Sequence, residues 1–334
     1  MTLAATLLLP AALALDRLLG EAPARIHPVC LMGALASRLE ALLRRGPNSR
    51  RMFWAGVTAG TLVVLPAAGA AAALVLLAER YGGAPGGWGA AAFAVYICLA
   101  PRCLQESALR VAGHLEQKDL GAAREALGWI VGRQTAELDA HGVARACVES
   151  VAENLTDAVL STLFWAGIGL VLLGYPGAAA LALAHRACNM LDAMWGRKND
   201  QYIRFGTFAA RMDDALNCIP ARLALPCIAL AARFSPELRP AESLRVGWQD
   251  RHGHESPNSA WSEAPFAGAL GLKLGGPAIY GGMTAQHPWI GEGTPDATAG
   301  HIRLAARLMW HAALTFAAFA VLALGAVSLI GASG

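Results

Sequence analysis

The run Phe53–Ala78 carries no charged side chain. A stretch this long and apolar matches the hydrocarbon core of a bilayer, which takes about 20 residues of helix. Backbone polar groups in lipid must be satisfied within the segment, so the run predicts a membrane-spanning helix. Other apolar runs follow the same logic: Thr2–Leu15, Ala90–Leu104, Ala158–Leu173, Gly177–Leu191, Ile219–Ala232 and Ala305–Ile330. The first is short, and Arg17 can extend it by snorkelling. The Gly-rich turn 82–89 joins the second and third runs as a helical hairpin, and Tyr175-Pro176-Gly177 separates the fourth from the fifth. The expected fold is therefore all-α, a polytopic integral membrane bundle with polar helical and loop segments outside the lipid, forming one domain over 1–334.

Basic residues give an orientation. Segments 20–51, 105–155 and 192–217 are rich in Lys and Arg and are placed in the cytoplasm by the positive-inside rule. Segment 235–304 also carries Arg239, Arg245, Arg251, Lys273 and Arg303. Pro220 and Pro226 interrupt the sixth run, which predicts a broken or re-entrant helix. On that reading there are six spans, both termini lie outside, and 235–304 stays cytoplasmic. Residues 30–43 repeat Leu31, Leu35, Leu39 and Leu42 at helical spacing, as an interfacial amphipathic helix does. Segment 105–155 reads as helical, with breaks near Gly113, Gly132 and Gly142.

Composition supports this class and removes others. Hydrophobic residues are 55% and charged residues 15%, with mean hydropathy +0.42, which excludes a disordered chain and an ordinary soluble globule. A net charge of +3 is too weak for a nucleic-acid partner. Seven cysteines show neither a CxxC pair nor a zinc spacing, and Cys98, Cys188 and Cys227 read as buried free thiols. No basic region precedes the first run, so no removable signal peptide is expected. "GALGLKLGGPAIYGG" is Gly-rich but matches no Walker or dinucleotide pattern.

The scarce polar residues cluster. Glu149, Glu153 and Asp157 fall at i, i+4 and i+8, on one helical face, with Asn154 beside them. Carboxylates aligned in this way repel one another and run into an apolar segment, and a hard cation such as Mg²⁺ would relieve both problems. A solvated face favouring a helix N-terminus is the alternative. His185-Arg186, Asn189 and Asp192 end another apolar run, followed by Arg197-Lys198-Asn199-Asp200; helix-end solvation explains the cations better than it explains Asn189 and Asp192. Arg211, Asp213-Asp214, Asn217 and Arg222 form a third group, as phosphate clamps or as a salt-bridge network at the membrane edge. His252, His254, Asn258, Ser259, Trp261 and Glu263 form a fourth, around a turn at Pro257. Asp16 with Gly20, and His27-Pro28, are smaller features.

Taken in order, "ALDRLLGEAP…HPV", "ALGWIVGR", "VARACVESVAENLTDAVLSTLFWA", "NMLDAMWGRKNDQYIRFGTFAARMDDALNCIPAR" and "HESPNSAWSEAPFAGALGLKLGGPAIYGG" closely resemble the adenosylcobinamide-phosphate synthase family, the CobD/CbiB-type proteins of cobalamin biosynthesis. The chain departs from the family pattern at Asp157-Ala158 (usually Asp-Gly), at His254-Glu255-Ser256-Pro257-Asn258 (often His-Pro-Ser-Pro-Asn) and at Trp261-Ser262-Glu263 (often Trp-Pro-Glu), leaving the polar groups in place. The resemblance implies a multi-pass enzyme of the cytoplasmic membrane with its active site facing the cytoplasm. It would join adenosylcobyric acid to (R)-1-aminopropan-2-ol O-phosphate, or ethanolamine phosphate, by an ATP-driven amide bond.

Residue chemistry combined with those motifs assigns Glu149, Glu153, Asp157 and Asp192 or Asp213 to Mg²⁺ and ATP. Arg186, Arg211 and Arg222 go to phosphates, and His254 or Glu263 accepts the amine proton. Asn154, Asn189, Asn217 and Asn258 serve the amides of the corrinoid. The lipid bilayer is a further partner; a homo-oligomer and association with other corrinoid enzymes stay open. A corrinoid transporter and a non-catalytic membrane scaffold are the competing readings.

Overall fold

In the computed structural model, residues 3–25, 27–46, 49–197, 199–280, 283–285 and 288–333 are described; Thr2, Lys198 and the Gly281-Gly282 pair of the Gly-rich segment lie outside them. The apolar runs become helices: α1 (Leu3–Thr6), α2 (Leu8–Leu19), α3 (Pro28–Leu43), α4 (Arg50–Tyr96), α5 (Pro101–Glu116), α6 (Leu120–Gly128), α7 (Ala140–Asn154), α8 (Ser161–Trp195), α9 (Thr207–Ala231), α10 (Pro240–Gln249), α11 (Ala260–Leu270) and α12 (Ala299–Ser333). A π-helical turn, Leu155–Leu160, joins α7 to α8. Strands β1 (Leu274–Gly275) and β4 (Trp289–Ile290) pair antiparallel, as do β2 (Ala278–Tyr280) and β3 (Met283–Ala285). The protein is an all-α polytopic membrane protein.

Stretches Arg50–Glu116, Ala140–Trp195, Thr207–Phe234 and Ala299–Ile330 are long and apolar enough to cross a membrane. In the first, only 17% of the most apolar window is buried. Leu62, Leu65, Leu74, Leu76 and Leu77 are exposed there, a face that water would not tolerate and lipid would cover.

The chain forms two compact units: one holds the residues through Ala100, Ser161–Asn217 and the chain from Ala317 on; the other holds Pro101–Leu160 and Cys218–Phe316. In the first unit, α4 and α8 are each folded back on themselves. Residues eight apart in a straight helix stand about 12 Å apart along the axis. Here a Cβ added to Gly86 would lie 2.4 Å from the Ala78 carbonyl oxygen, and one added to Gly169 would lie 2.1 Å from that of Gly177. Gly83 (φ +62°) and Gly174 (φ +68°) make the reversals, in a left-handed region that suits glycine. The second and third runs are thus one hairpin, as expected, and the fourth and fifth are another.

Around these hairpins Met32, Ala36, Val63, Leu191, Trp195 and Phe205 form a buried core, with Trp195 and Phe205 edge to face at 4.9 Å. Glu40 ties the chain after α8 to α3: it accepts from Trp195 Nε1 (3.0 Å), the Tyr202 hydroxyl (2.8 Å) and Arg44 Nε (2.9 Å). On α3, Leu31, Leu35 and Leu42 face outward while Met32 and Ala36 face the core, the two-sided pattern of an interfacial helix.

Two expectations are corrected. Gly113 does not break a helix; α5 runs through it, and the chain turns at Lys118, where φ is +58°. The sixth run is not broken either: α9 is continuous through Pro220 and Pro226. Pro220 has no N–H for the Leu216 carbonyl, and the Trp165 indole supplies the missing donor at 3.0 Å. The six-span count with both termini outside rested on that break and loses its premise. Replacing Trp165 by Phe leaves the Leu216 carbonyl unpaired, and thermal denaturation should show a loss of about 1–3 kcal/mol.

In the second unit α10 and α11 pack closely. A Cβ on Gly268 would meet the Glu242 carbonyl oxygen at 2.3 Å, and Ser243 Oγ donates to the Pro265 carbonyl at 2.9 Å. Asp119 and Asp139 cap α6 and α7 through the N–H groups of Ala122 (2.9 Å) and Gly142 (2.7 Å). The cysteines Cys98, Cys147, Cys188 and Cys227 are buried and free.

Candidate functional site

The second unit holds a cleft of about 160 Å³. Glu149, Glu153 and Asn154 reach it from α7, His254 from the loop before α11, Glu263 from the first turn of α11, and Gly275 and Gly276 from the β1 edge. Residues far apart in sequence thus meet in one cleft. The i, i+4 spacing puts Glu149 and Glu153 on the same face of α7, and that face is turned inward.

Their partners differ. Glu149 accepts the Gly275 N–H at 2.7 Å through Oε1 and pairs with Arg133 Nη2 through Oε2. It therefore clamps the 128–133 loop and the β1 edge to α7. Glu153 Oε1 accepts the Ser259 hydroxyl at 3.1 Å. The amide of Asn154 donates back to the Ser150 carbonyl at 2.9 Å, and Ser150 Oγ donates to the Ile130 carbonyl at 2.7 Å, which fixes the loop carrying Arg133. His254 Nδ1 accepts the Ser256 N–H at 2.9 Å. A neutral His254 then carries its proton on Nε2 and donates from there.

Glu263 is 4% exposed, and among the described residues its carboxyl makes no hydrogen bond. Burial, then the negative Glu153 and Glu149, push it well above the ordinary carboxyl range, against the opposing pull of Arg133. Its carboxyl therefore holds a proton to higher pH than an ordinary one. In the folded chain Glu263 keeps its proton to higher pH than in the unfolded chain, so folding stability is fully present below the usual carboxyl range. That stability declines as pH rises toward the raised value. Glu263→Gln should remove this alkaline decline in melting temperature, measured by thermal scans at several pH values.

Within the first unit, two of the polar clusters fuse into one network. Thr162 Oγ1 lies 3.3 Å from His185 Nδ1, and His185 Nε2 lies 3.0 Å from Asn217 Oδ1. Asn217 Nδ2 donates to Asp213 Oδ2 at 2.9 Å, Asn189 Nδ2 donates to Asp213 Oδ1 at 3.3 Å, and Arg186 Nη1 donates to Asn189 Oδ1 at 2.8 Å. Because Asn217 spends its N–H₂ on Asp213, its oxygen is the acceptor for His185. The proton then sits on His185 Nε2, and Thr162 donates to Nδ1. His185, Asp213 and Asn217 are buried, and α8 and α9 are joined through them.

The remaining candidates fall elsewhere. Arg222 donates to the Cys218 carbonyl (2.6 Å) and Asn258 Oδ1 (3.0 Å) and stands 5.0 Å above the Trp261 ring, which unites two further candidates, Arg222 and Asn258. Arg211 is exposed on α9. Asp157 sits in the π-helical turn of the second unit, and Asp192 lies on α8 in the first.

Among the described residues, no group of three or more His, Cys, Asp or Glu is placed to hold a metal ion. Mg²⁺ commonly takes only one or two carboxylates, with phosphates and water completing its shell. Glu149 is committed to Arg133 and Gly275, whereas Glu153 Oε2 makes no hydrogen bond among the described residues. Were Mg²⁺ bound together with phosphate, Glu153 Oε2 would be an oxygen able to hold it. Residue reasoning missed Arg133 and Ser150. The signal for Arg133 lay in "GWIVGR", a motif that drew attention only as part of the resemblance.

The fold and cleft define a helical membrane protein with a carboxylate-lined site. The chain matches the family model described as CobD/Cbib protein over residues 9–309, and it belongs to the CobD/CbiB family. It is 41% identical over 299 residues to the cobalamin biosynthesis protein CobD of Klebsiella pneumoniae, covering 89% of this chain and 91% of that one. It is 40% identical over 325 residues to CobD of Photorhabdus laumondii (97% and 98%). With the cobalamin biosynthesis protein CbiB of Salmonella typhimurium it shares 38% over 300 residues (89% and 91%). No solved structure matches.

Proposed function

We propose that this protein acts in cobalamin biosynthesis as an adenosylcobinamide-phosphate synthase of the cytoplasmic membrane. It joins adenosylcobyric acid to an amino-alcohol phosphate at the expense of ATP, in a site open to the cytoplasm. The observation that carries the reading is the convergence of Glu149, Glu153, His254 and Glu263 on one cleft in a chain of this family.

A carboxylate and an amine do not condense unaided. One carboxylate oxygen attacks the γ-phosphorus of ATP and ADP leaves. The amine nitrogen then attacks the acyl carbon, and phosphate departs with that oxygen. Mg²⁺, held through Glu153, supplies neutralisation of the phosphoryl charge. Glu153 also lies where it can take the proton that the amine must lose. Protonated Glu263 and the Nε2–H of His254 donate hydrogen bonds to oxygens of the reacting groups. The amine proton therefore goes to Glu153 and not to His254, whose Nδ1 lone pair is spent on Ser256. Arg133 holds Glu149 in place, so that Glu149 positions the walls of the cleft and stays out of the chemistry.

Purified protein given adenosylcobyric acid, aminopropanol phosphate and Mg-ATP should release ADP with one new amide. Substrate-stimulated corrinoid flux into liposomes without ADP would favour a transporter, and neither activity would leave a scaffold.

A further inference from the structure

The second unit carries another concavity, away from the carboxylate cleft. It is a groove of about 530 Å³. Pro226, Ala229 and Leu230 of α9 form one wall, Pro240 and Leu244 of α10 the other, and Arg233 stands in the short 3-10 turn after α9. We propose that this groove binds an anionic phospholipid, its acyl chain lying between α9 and α10 and its phosphate on Arg233.

Arg233 is exposed and makes no hydrogen bond or ion pair among the described residues. Nearby acids are taken: Glu237 pairs with Arg307 at 3.5 Å, and Glu242 with Arg245 at 2.7 Å. Arg233 is thus a guanidinium at the mouth of an apolar groove, with its fork of donors uncommitted, which suits a phosphate.

Depth agrees. The groove adjoins the end of the membrane-spanning stretch Thr207–Phe234. From Pro226 to Arg233 the helix advances about 10 Å, so the apolar wall and the guanidinium are set apart along the groove. Phe234, 65% exposed, follows Arg233 directly, an aromatic beside the cation of the kind that collects at membrane interfaces. The lining therefore has the two-part chemistry of its occupant, apolar along the helix and cationic at its end.

Native mass spectrometry of the detergent-purified full chain tests this, with dioleoyl phosphatidylglycerol, dioleoyl phosphatidylcholine and glycerol 1-phosphate as probes. Phosphatidylglycerol should be retained in preference to phosphatidylcholine. Arg233→Gln should weaken its retention about five-fold, the loss expected of one basic side chain at an anionic lipid. Ala229→Trp, which fills the groove and keeps the charge, should weaken retention of both lipids. Folding of each variant is checked by its melting temperature, and whichever variant folds decides the matter. Equal retention in wild type and the folded variants would overturn the proposal. So would full competition by glycerol 1-phosphate, which would mark a plain phosphate site.

Discussion

Glu153→Gln should lower the rate of amide formation by about 10²- to 10⁴-fold, the usual contribution of a positioned proton acceptor. The substitution is nearly isosteric. The amide oxygen that it introduces can still accept the Ser259 hydroxyl, so α7 and the loop before α11 stay joined. What disappears is a negative charge. The amine loses its acceptor, and the cleft loses the carboxylate that keeps a free oxygen for Mg²⁺. Glu263 is held high partly by Glu153, so its carboxyl should move back toward the ordinary range in the variant. Protein yield and melting temperature should match wild type, because no buried group is left without its partner. Steady-state assay of amide product checks this, and wild-type turnover in the variant would remove Glu153 from the mechanism.

Arg133→Gln should act mainly on stability. Side chains of Arg133 and Glu149 are 14% and 12% exposed, so the pair is shielded from water. Removing one partner of such a pair costs about 3–5 kcal/mol, because the other charge is left buried and uncompensated. Glu149 would keep the Gly275 N–H but lose its cation, and the 128–133 loop would lose its anchor at the cleft. The double variant Arg133→Gln/Glu149→Gln removes both charges and should recover most of the lost stability. It should not recover the cleft's geometry, so amide formation should remain low. Chemical denaturation of the single and double variants measures the coupling. Additive losses would mean that the pair is not an electrostatic unit.

Much of this architecture can be read from local pattern. The spacing of Glu149 and Glu153 predicts a shared helical face, and both line the cleft. His185 with Asn189, and Asp213 with Asn217, are likewise single faces, and α8 and α9 present them to each other. The Gly-rich turn 82–89 predicts the reversal at Gly83 and Tyr175-Pro176-Gly177 marks the second, made one residue earlier at Gly174, since few other residues adopt that backbone without cost. Failures come where a distant group changes a local rule. Pro220 should break a helix, but Trp165, far away in sequence, satisfies the carbonyl it frees. Gly113 lowers helix propensity by about 1 kcal/mol, and α5 outweighs that by burying Leu104, Ala108, Val111 and Ala112. Arg133 sits in a short loop without periodicity, and only the folded chain brings it to Glu149. The metal role given to Asp213 and the corrinoid-amide role given to Asn217 at the outset read only their chemistry. In the structure Asp213 takes one amide donor on each oxygen, a bonding pattern that is also a structural one.

Oxygen transfer from the acid substrate tests the central claim most directly. Adenosylcobyric acid labelled with ¹⁸O in its free carboxylate is incubated with the purified protein, aminopropanol phosphate and Mg-ATP, and the released phosphate is weighed by mass spectrometry. The account predicts one ¹⁸O in phosphate for each amide formed, with equal ADP, and loss of both in Glu153→Gln. Unlabelled phosphate alongside amide product, or label transfer undiminished in Glu153→Gln, would contradict it.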